Sequence, residues 1–334
     1  MTKRILSGVQ PSGALTLGNY LGALKNWQSL QENHDCLFCI VNLHAITVPV
    51  EPDALRKQTL EIAATYLACG IDPVQSHIFV QSHVPAHAEL GWVLGCKTPM
   101  GWLNRMTQFK DKAGKHKEKA SLGLYGYPTL QAADILLYQA DGVPVGDDQK
   151  QHIELTRDIA MSVNSAYGKD LFTVPEPMIE KTAARIMSLR DGTKKMSKSD
   201  PSDFSRLNLT DSADEIRLKI KKAKTDSGPL PETLEGLKDR PEAKNLVAIF
   251  ASLSKQSEED VCRQYAGAPF SVFKPDLADL AVEVLAPTGE SIKKYLKETS
   301  ELERHLKRGA DYANEIAEKT LKDVFETIGF LPRL

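Results

Sequence analysis

Apolar and polar positions switch between two periods along the first half of the chain and keep to one along the second. Arg4-Ile5-Leu6 reads as a strand-like segment that runs into a glycine-rich turn. From Thr16, a residue suited to capping a helix, apolar positions fall at Leu17, Leu21, Leu24 and Leu30, joined by Tyr20 and Trp27, which is a helical spacing. Residues 36–41 are an unbroken apolar run and predict a buried strand. Pro52-Asp53 opens a helix carrying Leu60, Ala63, Ala64 and Leu67, and Gly70 stops it. Residues 77–81 read as the next strand, and helix-like segments start at Ala86 and Leu103. Pro128 is expected to open another helix, through Asp134 to Tyr138. Residues 143–145 read as a short strand ending at Gly146, and Asp147 opens a long helix to about Tyr167.

Strand–helix alternation of this kind predicts an α/β fold with a doubly wound parallel sheet of the Rossmann type, whose ligands bind at the carboxyl ends of the strands. Beyond residue 210 the character changes. Residues 211–334 carry helical spacing almost throughout, for example at 277–285 and 316–328. Two domains are expected: a nucleotide-binding part over 1–200 and an all-helical part over 201–334.

Composition narrows the class. The chain has 334 residues, 42% apolar and 26% charged, an ordinary balance for a globular protein. No run of about 18 apolar residues is present, so no membrane span is expected. Nor does the amino terminus read as a secretory leader, which predicts a cytoplasmic protein. The cysteine count is five, and an odd number in a reducing compartment argues against structural disulfides. Cys36 and Cys39 are spaced like metal ligands, but they sit inside an apolar strand with no second pair at matching spacing, so no metal site is expected. Net charge is −2, yet residues 181–224 hold twelve Lys or Arg against six Asp or Glu. That stripe suits either an RNA-facing surface or a solvated helix face.

Two segments carry chemistry. The first, Gly8 to Asn19, reads G-V-Q-P-S-G-A-L-T-L-G-N: a strand ends, the chain turns, and a helix begins. Free N–H groups and the helix dipole attract anions there. Gly18 is costly inside a first helical turn, and close approach of a ligand would explain it. The spacing is neither the dinucleotide G-x-G-x-x-G nor the Walker pattern, which disfavours a dehydrogenase or a P-loop ATPase. The second segment, Gly192 to Asp200, contains Lys195-Met196-Ser197-Lys198-Ser199. Glycine and serines read as flexibility, and the lysines can converge on one anion. Lysines that close as pyrophosphate leaves ATP would favour the transition state over the ground state.

Together with A-A-D-I-L-L-Y (132–138), V-P-V-G-D-D-Q-K-Q-H (143–152) and K-K-M-S-K-S-D (194–200), these segments resemble the class I aminoacyl-tRNA synthetases over nearly the whole chain. The motifs are most similar to the tryptophanyl branch. Thr16 and Asn19 stand where other members carry histidines. The resemblance implies that Gln10, Pro11, Ser12, Gly18, Asn19, Gly146, Asp147, Asp148 and Ile186 line the ATP site. It implies that Lys195, Met196, Ser197, Lys198 and Ser199 embrace the triphosphate, with Lys195 and Lys198 acting catalytically beside Thr16 and Asn19. Gln108 and Lys112 would reach the phosphates or their Mg²⁺, unless they are simply a polar helix face.

An indole offers one polar atom, a donor, so a tryptophan pocket needs a buried acceptor among apolar walls. Asp134, alone on an apolar helix, takes that role by resemblance. Tyr127 and Gln149 would hold the substrate amino group, His44 would sit close by, and Val143 and Val145 would be walls. Leu6 and Gln131 complete the set, but they depart from the phenylalanine and methionine common in tryptophanyl enzymes. Gln131 also resembles the tyrosyl enzymes, which keeps a tyrosine-specific alternative open. A catalytically inactive binding paralogue and an adenylyltransferase making a dinucleotide cofactor are the other classes. The implied reaction is activation of L-tryptophan by ATP with Mg²⁺, then transfer to tRNA(Trp), with no DNA or membrane partner. The helical part would read the tRNA, with Lys219, Lys221, Lys222, Lys224, Arg304, Lys307 and Arg308 as candidates. A homodimer is implied, with contacts in residues 86–127.

Overall fold

The computed structural model describes residues 2–107, 120–146, 149–179, 185–198 and 200–332. Gln108, Lys112, Asp147, Asp148 and Ser199 lie outside the described residues. Five parallel strands, β1 (Arg4–Val9), β2 (Asp35–Ile40), β3 (Ser76–Val80), β4 (Gly142–Val145) and β5 (Glu176–Ile179), form one sheet in the order β3-β2-β1-β4-β5. All four pairings are parallel. The order reverses between β1 and β4, which opens a crevice at their carboxyl ends, where doubly wound sheets take ligands.

Helix α1 (17–30) follows β1. Its start is a capping box: Thr16 Oγ1 accepts from the Asn19 backbone N–H, while Asn19 Oδ1 accepts from the Thr16 backbone N–H at 3.0 Å. A π-type stretch over Tyr20–Leu24 interrupts the helix. Helices α2 (Asn42–Ala45) and α3 (Pro52–Ala68) join β2 to β3. After β3 come α4 (Ala86–Lys97), α5 (Met100–Leu103) and α6 (Leu122–Leu136). Helix α7 (Lys150–Tyr167) then joins β4 to β5.

Two sequence expectations need correction here. Pro128 does not open its helix: α6 starts six residues earlier, where Ser121 Oγ accepts from the Leu124 N–H, and Pro128 lies buried inside it. Strand β5 was not anticipated, because Pro177 within E-P-M-I weakens any strand reading. Proline is tolerated on an edge strand, and β5 is an edge.

The carboxyl-terminal third is helical: α8 (Ala213–Lys222), α9 (Pro241–Ser254), α10 (Glu258–Gln264), α11 (Phe270–Lys297) and α12 (Thr299–Ile328). Apolar residues from both parts share a continuous core, in which Ile5, Phe38 and Ile78 of the sheet meet Leu246, Phe273 and Leu306 of the helices. Trp27 stacks on Phe38 at 4.7 Å between ring centroids. Helix α12 lies directly on β3. A β-carbon at Gly309 would come within 1.9 Å of the Ile78 carbonyl oxygen, so only glycine fits there. His77 of β3 stacks on Tyr312 of α12 at 3.5 Å.

Candidate active site

A cavity of about 410 Å³ opens at the carboxyl ends of β1, β2 and β4. Each of the eight residues expected around an amino-acid side chain lines it: Leu6, His44, Tyr127, Gln131, Asp134, Val143, Val145 and Gln149. Gln10 and Gly146, expected on the nucleotide side, line the same space. Apolar walls and a few convergent polar groups make a small-molecule site.

Asp134 is 4% exposed. A buried carboxylate is costly unless it is hydrogen-bonded, and three donors surround this one. His44 Nε2 lies 2.7 Å from Oδ2, Gln81 Nε2 donates to Oδ1 at 2.7 Å, and His87 Nδ1 lies 2.6 Å from Oδ1. Burial by itself would raise the Asp134 pKa. The hydrogen-bonding His44 and His87 more than offset that and hold the carboxyl well below its ordinary range. A carboxylate has about four acceptor positions. With two taken on Oδ1 and one on Oδ2, the remaining position is on Oδ2, beside His44 at the cavity.

Tyr127 is also buried, which pushes its phenol up to about 12. Its hydroxyl is 2.8 Å from His152 Nε2. A hydroxyl that donates to His152 presents its oxygen as an acceptor, the polarity that a substrate ammonium needs.

Chain segments almost 190 residues apart meet at the mouth of the cavity. The Lys198 ammonium donates to the Gln10 carbonyl at 3.1 Å, and Gln10 Nε2 donates to the His44 carbonyl at 3.0 Å. Burial lowers the Lys198 pKa to about 8. Met196 is buried and its N–H donates to the Ile186 carbonyl. Lys195 and Ser197 stay exposed. The lysine segment is thus seated on the strand–turn–helix element while Lys195 remains available to an anion.

The ATP-side residues divide. Gly18 does not face the cavity: a β-carbon there would be 3.7 Å from Met196 Cβ and 3.8 Å from Ile186 Cβ, ordinary contacts. Gly18, Ile186 and Met196 therefore form one contact, and what approaches Gly18 here is protein. Pro11 is buried and Ser12 exposed, both outside the cavity lining. Thr16 is buried, and its hydroxyl donates to Asn19 Oδ1 at 3.0 Å.

Gly192 also differs from its expected role as a source of flexibility. A β-carbon there would fall 2.4 Å from the Pro241 carbonyl carbon and 2.6 Å from the Glu242 nitrogen, so the missing side chain admits the amino end of α9. Close by, Asn245 of α9 accepts from the Met187 N–H at 2.8 Å and donates to the carbonyls of Met187 and Ser188. The base of the lysine segment is held by the helical part.

Among the RNA candidates, Lys219 is corrected. It is 3% exposed, and its ammonium sits 2.6 Å from Asp203 and 2.7 Å from Asp211, an internal ion-pair cluster. Arg308 donates to the Pro73 carbonyl at 2.6 Å and ties α12 to the turn before β3. Lys224 pairs with Glu242, Lys307 with Asp311 and Arg304 with Glu301. Lys222 lies over the Phe204 ring, and Lys221 is exposed.

Gln81, His87, Tyr138 and His152 were missed in the sequence. Each lies on an otherwise apolar or amphipathic segment and has no partner nearby in the chain; only the fold brings it to Asp134, His87 or Tyr127.

Comparison with known proteins adds independent findings. The profile of the tRNA synthetases class I (W and Y) matches residues 2–322. The tryptophan–tRNA ligase of Caulobacter vibrioides is 56% identical over 328 residues, covering 98% of this chain and 95% of that protein. The crystal structure of tryptophanyl-tRNA synthetase from Mycoplasma pneumoniae superposes with a TM-score of 0.87 at 33% identity, covering 99% of each chain. That of the Campylobacter jejuni enzyme, complexed with ADP and tryptophan, gives 0.84 at 34% identity, covering 98% of this chain and 100% of that one.

Proposed function

This chain belongs to the class I tRNA synthetases of the W and Y type, and from that premise we propose how its residues divide the work. The activity is tryptophan–tRNA ligation: L-tryptophan is activated with ATP to tryptophanyl-adenylate, pyrophosphate leaves, and the aminoacyl group passes to tRNA(Trp). Neither the tyrosine-specific nor the inactive alternative is favoured.

The indole N–H donates to Asp134 Oδ2, against walls formed by Leu6, Val143 and Val145. Gln131 borders the ring. The substrate ammonium is held by Tyr127 and Gln149, with His44 fixing Asp134 from the mouth side. Its carboxylate then faces the Gln10–Gly146 side, where the α-phosphate must lie for in-line attack. No side-chain nucleophile is needed; positioning and charge stabilisation carry the step. Gln10, Pro11, Ser12, Asn19, Gly146, Asp147 and Asp148 serve the nucleotide, while Gly18 and Ile186 seat Met196 of the lysine segment beside it. Lys195 and Lys198, in the segment closing with Ser199, take the charge that builds on pyrophosphate. Lys198 must leave the Gln10 carbonyl to do so. Mg²⁺ enters with the triphosphate as part of the substrate, with Gln108 and Lys112 near it. Thr16 and Asn19 fix the helix start that faces the phosphates.

The helical part, 201–334, reads the tRNA, and residues 1–200 carry the activation chemistry. Two chains pair through residues 86–127, where the apolar side chains of Trp92, Met100 and Leu122 are 74%, 68% and 81% exposed and available to a symmetric contact. The enzyme works in the cytoplasm, where its five free thiols stay reduced. No described helix is long and apolar enough to cross a membrane.

The observation that carries the reading is the shared cavity: Asp134 and Gln10 line one space, and the Gln10 carbonyl accepts from Lys198. Amino-acid-dependent exchange of pyrophosphate into ATP tests it. Exchange with tryptophan and not with tyrosine is expected; exchange with tyrosine alone would overturn the substrate, and none with either would overturn the activity.

A further inference from the structure

His87 is fully buried on α4 and touches no part of the cavity, yet it makes two short polar contacts. Its Nδ1 is 2.6 Å from Asp134 Oδ1, and its Nε2 is 2.7 Å from the Tyr138 hydroxyl. One tautomer satisfies both: Nδ1–H donates to the carboxylate and Nε2 accepts the Tyr138 O–H. Tyr138 is itself fully buried and packs edge-on to Phe79 at 5.6 Å, so the imidazole is braced from behind.

The carboxylate needs such bracing. The terminal torsion of an aspartate is broad, and rotation about it costs little by itself. What sets the plane of Asp134 is its donors. Gln81 and His87 together fill both acceptor positions of Oδ1, while His44 takes one of Oδ2. Among the described residues, that leaves the vacant position on the oxygen next to His44. Remove the His87 donor and Oδ1 regains a vacant position. The carboxylate can then turn, and the vacant position no longer points one way.

We infer that His87 is a positioning residue for substrate choice: by saturating Asp134 Oδ1 from the side remote from the cavity, it reserves Oδ2 for a single donor, the indole N–H. This rests on the assignment of Asp134 as indole acceptor, and it adds a residue that never meets the substrate.

The test compares tryptophan with β-(3-benzothienyl)alanine, which replaces the ring N–H by sulfur and keeps the shape. Pyrophosphate exchange is measured with the unaltered chain and with His87→Asn, His87→Gln and His87→Phe, with thermal melting as the control for folding. An asparagine amide nitrogen falls near the histidine Nδ1 position, whereas that of glutamine falls near Nε2. The unaltered chain should prefer tryptophan by at least about tenfold in kcat/KM, as expected for one hydrogen bond to a charged acceptor. His87→Asn should retain that preference within about twofold. His87→Gln and His87→Phe should lose most of it, through KM for tryptophan, with KM for ATP unchanged. An undiminished preference in His87→Gln, an asparagine variant that behaves like the glutamine one, or equal losses with both amino acids would each overturn the inference. No preference in the unaltered chain would remove the acceptor role of Asp134 itself, a different failure visible before any variant is made. Should His87→Phe not fold, the Asn–Gln contrast decides alone.

Discussion

Replacing Gly192 by alanine separates activation from amino-acid binding. The added β-carbon would sit 2.4 Å from the Pro241 carbonyl carbon, 2.5 Å from its oxygen and 2.6 Å from the Glu242 nitrogen. All three are main-chain atoms, so no side chain can swing aside. Restoring ordinary carbon contact distances needs a shift of about 1 Å. Helix α9 is poorly placed to give it, since Ala243, Asn245 and Leu246 are buried in the core and Asn245 holds the main chain of Met187 and Ser188. The turn over residues 191–194 must move instead, and Lys195 and Lys198 follow it. Overpacking of this kind costs about 1–3 kcal/mol. Misplacement of a positioning group by about 1 Å can cost about 10²-fold in rate. Gly192→Ala should therefore lower kcat for pyrophosphate exchange by about 10- to 100-fold and reduce the melting temperature by a few degrees. Equilibrium tryptophan affinity should stay within about twofold, because the indole pocket lies on the sheet side. An unchanged kcat would show that the lysine segment does not depend on this seat. A parallel loss of tryptophan affinity would show that the substitution disturbs the whole fold.

Asp134→Asn turns one acceptor oxygen into a donor facing His44, Gln81 or His87; KM for tryptophan should rise at least about tenfold, with KM for ATP within about twofold, and equal losses in both would exclude a role confined to the indole. Burial lowers Lys198 to about 8, so its charge is present below that pH and lost above it. Accordingly kcat/KM for ATP, which reports the free enzyme, should fall as pH rises through about 8, and Lys198→Arg should abolish that fall; the same fall in the arginine variant would assign it to another group. Asn245→Ala leaves the Met187 N–H and the Met187 and Ser188 carbonyls without this partner. About 2–3 kcal/mol of stability should be lost in urea unfolding, and a loss below about 0.5 kcal/mol would mean that the clamp is dispensable.

Much of the sheet was legible because its signals are local. An apolar run at 36–41 and the Thr16 cap each declare an element within a few residues, and β1 to β4 fall where apolar segments end in turns. The two chemical segments were legible for the same reason, and their resemblance to a family supplied the pocket residues that local pattern could not. What escaped depends on residues distant in sequence. Pro177 hid β5, since only the assembled sheet tells an edge strand from a central one. Lys219 looked like its exposed neighbours until Asp203 and Asp211 folded around it. Gly192 read as flexible, whereas its smallness serves the approach of α9. Gln81 and His87 reach Asp134 across 53 and 47 residues, so nothing near them announces a partner.

In the proposed mechanism one space serves both the amino acid and the activating nucleotide. A non-hydrolysable tryptophanyl-adenylate analogue, titrated by calorimetry against the chain alone, with tryptophan and with ATP, tests it most directly. Competition with both is expected, together with weaker binding in Asp134→Asn. An analogue that displaces one and leaves the other bound would mean that the Asp134 pocket and the lysine segment serve separate sites.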